Sequence, residues 1–255
     1  MIGSFIMTEE INIVETEPIQ IEHPNVVIGL PDVGLVGLIA TMHMIETLKM
    51  ERVGYIESKL FPPVVVLHNG EIQSPIKMYA KDNNIAIVSE IPIPTGAIYD
   101  LSDALLKHVK KWDPNVVVLL HGIPVPNRLN LEEVQSYAIG TNDKTKKLIA
   151  ESNIKTMDTG VVVGLKAIFL WDSLKENIPT IALGAESFLE YPDPGAASSV
   201  VIALNKLLNL DLDVEALLNK AEELRVRMRD LMRRTQETMR GTQPVRELEL
   251  PPMFG

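Results

Sequence analysis

The side chains able to do chemistry are few and far apart in the chain. Asp32, His121, Asp158 and Glu186 follow or interrupt apolar runs, in loops that could line a crevice. A carboxylate and an imidazole that converge there would make an acid/base pair. His121 has two readings. It closes the Val/Leu run 115–120, so it stands where open α/β sheets collect ligands, or it is satisfied by local backbone. The five histidines, His23, His43, His68, His108 and His121, show no metal-ligand spacing. The chain has no cysteine, which excludes thiolate metal sites, disulfides and cysteine nucleophiles. G-x-S-x-G, H-E-x-x-H and D-x-D-x-D-G are absent as well. No catalytic residue, metal or cofactor is therefore assigned, and the chain reads as a non-enzyme.

One stretch has the outline of an anion site. An apolar β-branched run at 26–30 breaks at Gly29, Pro31 and Asp32, then resumes at helical spacing, which predicts strand, glycine turn and helix. The glycines fall as G-x-x-x-x-G-x-x-G (Gly29, Gly34, Gly37), which is neither the dinucleotide pattern nor a P-loop. Asp32 also places a negative charge where phosphate would sit. The glycines therefore serve a tight turn and close packing of helix on sheet. The alternative is a crevice for a nucleoside-like or phosphorylated ligand built from Asp32, Gly34 and His121.

The elements that would position these residues follow from periodicity. Residues 11–21 read as an edge strand interrupted by Pro18, and 34–49 as a helix with Leu35, Leu38, Ile39, Met42, Ile45 and Leu48 on one broad face. Short strands are expected at 51–57 and 64–67, a hairpin turn at His68-Asn69-Gly70, a return strand at 71–79 and a further strand at 85–90. A helix at 98–112 precedes the buried parallel strand 115–120. The polar segment 128–153 suggests one or two short surface helices, 154–163 a strand, 165–174 a helix and 180–184 the last strand. Pro192, Asp193, Pro194 and Gly195 turn into a helix ending near 209. Two strand–glycine–helix units and a meander predict an α/β fold, with a mostly parallel mixed sheet covered on both faces.

Beyond that body the composition changes. Residues 1–210 form the core domain, 211–241 a C-terminal helix and 242–255 an extended, proline-stiffened tail. Asp213 is placed to cap the helix and Gly241 to stop it. Leu217, Ala221, Leu224, Met228, Leu231, Thr235 and Thr238 step by four and three, a seam for packing on the body or on a neighbouring copy. Its arginines, Arg225, Arg227, Arg229, Arg233, Arg234 and Arg240, have no interleaved aromatics and read as a solvated face, not an RNA-binding one. The formal net charge of −10 likewise argues against a general nucleic-acid binder. Without a secretory signal or an 18-residue apolar run, neither membrane insertion nor export is expected, which points to the cytoplasm.

Three stretches together resemble the proteasome assembly chaperone family, specifically its archaeal homologues. They are Gly29-Leu-Pro-Asp-Val-Gly-Leu-Val-Gly37, the glycine–helix unit from Gly160 to Leu174, and Tyr191-Pro-Asp-Pro-Gly-Ala-Ala with the leucine- and aspartate-rich run that leads to Ala221-Glu222-Glu223. The likeness covers roughly residues 10 to 225. It implies a three-layer α/β/α sandwich like that of nucleoside phosphorylases, used without catalysis. It also implies a homo-oligomer, with tetramer and pentamer as candidate states, whose partners are α subunits of the proteasome core particle. Proteasome activators of several kinds end in a hydrophobic residue, a tyrosine and any residue, and this chain ends Met253-Phe254-Gly255. Such a tail could enter a pocket between α subunits, bury its apolar residue and ring, and pair its carboxylate with a lysine. Phe254 keeps the ring area but forgoes a hydroxyl hydrogen bond worth about 1 kcal/mol. Val245, Leu248, Leu250, Met253 and Phe254 are also apolar enough to dock on the chain's own body.

Overall fold

The computed structural model describes residues 11–68 and 70–242. Four strands carry the centre of the sheet: β2 (Asn25–Gly29), β7 (Asn84–Ser89), β8 (Val116–Pro124) and β11 (Thr180–Ser187). They lie side by side in the order β7-β2-β8-β11, all parallel, and their near-continuous apolar sequences are buried on both faces. Beyond β7 the sheet continues antiparallel through β6 (Ile76–Lys81), β3 (Glu51–Glu57) and β1 (Asn12–Glu15). Beyond β11 lie β9 (Ser136–Gly140), antiparallel to it, and β10 (Lys155–Thr156), parallel to β9. A separate ribbon pairs β4 (Val66–His68) with β5 (Glu71–Gln73).

Strand periodicity divides the core into two layers. Val27, Val118 and Leu120 face α1 (Val36–Leu48) and α5 (Pro194–Leu208), while Val26, Ile28, Val117 and Leu119 face α2 (Ile98–Lys111) and α4 (Leu165–Lys175). Ile149 of α3 (Asp143–Glu151) joins the first layer, as do Leu217 of α6 (Val214–Asn219) and Met228 and Met232 of α7 (Ala221–Thr242). The expected α/β sandwich with helices on both faces is what forms, with its parallel strands concentrated at the centre.

Several local expectations need correction. The return strand at 71–79 is two strands: Glu71–Gln73 stays in the ribbon, and Ser74 and Pro75 turn the chain before Ile76 enters the main sheet. The strand expected over 154–163 shrinks to Lys155–Thr156, and Val161 and Val163 lie exposed in the loop that follows. The polar segment 128–153 contains strand β9 as well as a helix. The C-terminal helix divides at Lys220 into α6 and α7, and Gly241 lies inside the helix, which is described through Thr242. Asp213 does cap α6, its carboxylate accepting the Ala216 N–H at 3.0 Å.

The glycine stretch is a packing element. Gly34 adopts φ +61°, and a side chain there would collide with the Ser187 hydroxyl. A Cβ on Gly37 would strike the Leu120 carbonyl, so its absence lets α1 lie directly on β8. Thr41 reinforces that turn of α1, its hydroxyl donating to the Gly37 carbonyl at 2.8 Å.

Candidate functional site

Asp32 and His121, 89 positions apart in sequence, share two neighbours, the Lys166 charge and the Gly122 backbone. The turn after β2 lies against the carboxyl end of β8, so Val33 abuts Gly122 and Asp32 faces the same edge as His121. The third member of the cluster is Lys166, in the first turn of α4, whose Nζ donates to Asp32 Oδ2 at 2.7 Å. Both side chains of this ion pair are more than four-fifths buried. Burial pushes the Asp32 carboxyl above its ordinary 3.8; the Lys166 charge and hydrogen bond oppose that rise, and the Gly122 N–H opposes it more weakly. Asp32 Oδ1 is buried with no hydrogen-bond partner among the described residues.

His121 is held out of acid/base work. Its ring packs over Gly184 of β11, and Nδ1 donates to the Gly122 carbonyl at 3.1 Å. Burial, followed by the nearby Lys166 charge, lowers its pKa from 6.5 to about 3. It is therefore neutral at ordinary pH, and too weak a base to take a proton there. The two other loop acids lie elsewhere. Asp158 is exposed, and Glu186 accepts the Gln135 N–H at 3.0 Å and the Tyr137 hydroxyl at 3.4 Å. Among the described residues no group of three or more acids and histidines is arranged to hold a metal.

A cavity of about 170 Å³ opens beside the Asp32–Lys166 pair. Its floor is the carboxyl end of the sheet, with Ile28 of β2, Leu30 just beyond that strand, and Leu119 and Leu120 from β8. Pro92, Ile93 and Ile98 close one side, and Val163, Gly164 and Leu165 another. The last turns of α7 contribute Thr235, Thr238 and Met239. Gly34 and His121 are outside this lining; Gly34 faces Ser187 and Asp193 instead.

A second polar cluster fixes the turn from the other side. Asp193, fully buried, accepts from Arg128 Nε at 2.8 Å and Nη2 at 3.0 Å, caps α5 through the Ala196 N–H at 2.9 Å, and accepts the Phe188 N–H at 3.2 Å. Its own N–H donates to the Gly34 carbonyl at 2.8 Å. The Arg128 guanidinium also stacks 5.0 Å from the centre of the Phe188 ring. Neither Lys166 nor this pair was singled out from sequence. The available signals were a single cation in the otherwise apolar run Val161 to Leu170 and an aspartate set between two prolines.

Four of the seven seam residues, Leu217, Leu224, Met228 and Leu231, lie against the chain's own core. Leu217 and Met228 are buried there, and Leu224 and Leu231 are partly buried against the same cluster. Met253, Phe254 and Gly255, named for partner binding, lie outside the described residues. No described helix is long and apolar enough to cross a membrane.

Comparison with known proteins extends over nearly the whole chain. The sequence model of the PAC2 family matches residues 26–232. An uncharacterized protein of Methanocaldococcus jannaschii is 27% identical over 226 residues, covering 88% of this chain and 92% of the relative. The crystal structure of Pyrococcus furiosus PbaA, described as an archaeal homolog of proteasome-assembly chaperone, superposes with a TM-score of 0.84 at 28% identity, covering 90% of this chain and 99% of PbaA. Pyrococcus furiosus PbaB, described as an archaeal proteasome activator, shares the fold with a TM-score of 0.73 at 24% identity, covering 88% of this chain and 99% of PbaB.

Proposed function

The chain belongs to the PAC2 family, and from that premise we propose that it is a non-enzymatic, homo-oligomeric cytoplasmic protein that assists the assembly or activity of the proteasome. Its partners in this reading are α subunits of the core particle, engaged through the C-terminal tail. The observation that carries the proposal is the match to PbaA, which spans 90% of this chain at 28% identity and so extends well beyond a shared glycine turn.

The site chemistry agrees with a non-catalytic role. The imidazole of His121 is committed to the Gly122 carbonyl, and the Asp32 carboxylate is committed to Lys166. The tail supplies what a binding role needs. In this reading Met253 and Phe254 contribute apolar area and an aromatic ring, and a terminal carboxylate at Gly255 would pair with a lysine in a pocket between subunits. Several tails on one oligomer would add avidity where each reaches a pocket. A tail folded back on the body would hold the same residues in reserve.

Deleting Met253 to Gly255 and measuring the affinity for purified core particle tests the tail mechanism. Loss of at least about tenfold in affinity is expected, since each tenfold corresponds to about 1.4 kcal/mol and several tails act together. Binding at full strength by the shortened chain would remove the tail from the mechanism.

A further inference from the structure

We propose that the cavity between the carboxyl edge of the sheet and α7 binds a small uncharged molecule. Its body is aryl or branched alkyl, and its single hydroxyl or carboxamide head sits on Lys166 and Asp32. The site is independent of the proteasome reading and would stand if that reading fell.

Size and lining set the body of the ligand. A cavity of about 170 Å³ is comparable to the engineered apolar cavity of roughly 150 Å³ that admits benzene. Ile28, Ile98 and Leu119 give it walls with no polar side-chain atom. Such a space favours a compact hydrocarbon over a sugar or a nucleoside with several hydroxyls to satisfy.

The ion pair sets the head. Lys166 Nζ spends one N–H on Asp32 Oδ2 and has no other hydrogen-bond partner among the described residues, so it retains donors for an incoming oxygen. Asp32 also lines the cavity, and its Oδ2, which takes one hydrogen bond from Lys166, has a second lone pair to offer. A hydroxyl or a carboxamide can accept from the one and donate to the other, so that the polar atoms of the ligand's own head are paired. The pair is already neutral, so a phosphate or an ammonium would carry an uncompensated charge into an apolar space. That argument separates this site from a phosphate loop. The walls also include Thr235 and Thr238, so an occupant adds contacts to the last turns of α7.

The test is titration of the full chain with benzamide, followed through the methyl NMR signals of Ile28, Ile98 and Leu119 and through amide hydrogen exchange over Thr235 to Arg240. Toluene, which has the body without the head, is the comparison ligand. Saturable shifts at the cavity methyls are expected, with a dissociation constant on the order of 0.1–1 mM for so small a ligand, together with slower exchange in α7. The double variant Asp32→Asn/Lys166→Met keeps the site neutral and is expected to weaken benzamide about tenfold while leaving toluene unchanged. Lack of saturation overturns the proposal, as does equal weakening of both ligands. Appearance of binding only after residues 243–255 are deleted also overturns it, because the occupant would then be the chain's own tail.

Discussion

At the scale of single residues, buried polar groups set testable limits on stability. His121 has a folded pKa of about 3 against an ordinary 6.5, so its contribution to stability is complete above pH 6.5 and is lost as pH falls from there toward 3. Burial lowers the pKa of His108 as well, which adds a loss of the same sign. His121→Gln is therefore expected to shrink the fall in urea midpoint between pH 6.5 and pH 4 without abolishing it. An unchanged slope would contradict the assignment. Asp193→Ala is the more severe change, because it strands the Arg128 charge and removes the cap of α5 together. The expected cost is about 3–5 kcal/mol, read from denaturant unfolding at neutral pH. Little of this was legible in advance. Asp32 and His121 could be named from the ends of apolar runs, but Lys166 lies 134 positions beyond Asp32, and no local pattern announces a pairing over that distance.

At the scale of elements, α7 separates packing from any role at an interface. Met228 and Met232 are buried in the chain's own core, while Val226 is 59% exposed on the opposite side. Met232→Ala is expected to cost about 2–5 kcal/mol by leaving a cavity. Val226→Asp should change stability by no more than about 0.5 kcal/mol. Urea unfolding checks both, and the native mass of Val226→Asp reports on self-association without disturbing the packed seam. Leu224→Glu and Leu231→Glu would mix the two effects, since both leucines are partly buried on the body.

Elements with a strong apolar period were readable from sequence: the central strands β2 and β8 and helices α1, α2 and α5 fall where the pattern puts them. Strand β9 escaped because only Ala138 of its five residues is buried, too little to create an alternating signal. The valine run Val161 to Val163 misled in the opposite direction. Its β-branched residues favour strand, yet the chain there leaves the edge strand β10 and forms part of the cavity wall.

For the whole molecule, the cavity wall and the tail are neighbours in sequence. The cavity is closed in part by the last turns of α7, and the apolar tail follows α7 in sequence. The α/β body was foreseeable because both its glycine–helix units announce themselves, whereas the cavity requires five distant stretches to meet and could not be assembled from any one of them. The central claim concerns a partner, and native mass spectrometry of the full chain with and without purified proteasome core particle tests it most directly. Alone, the chain should appear at a multiple of its 28.3 kDa protomer. With core particle, a new species should carry the mass of both. A monomer alone and two unassociated masses in the mixture would contradict the account.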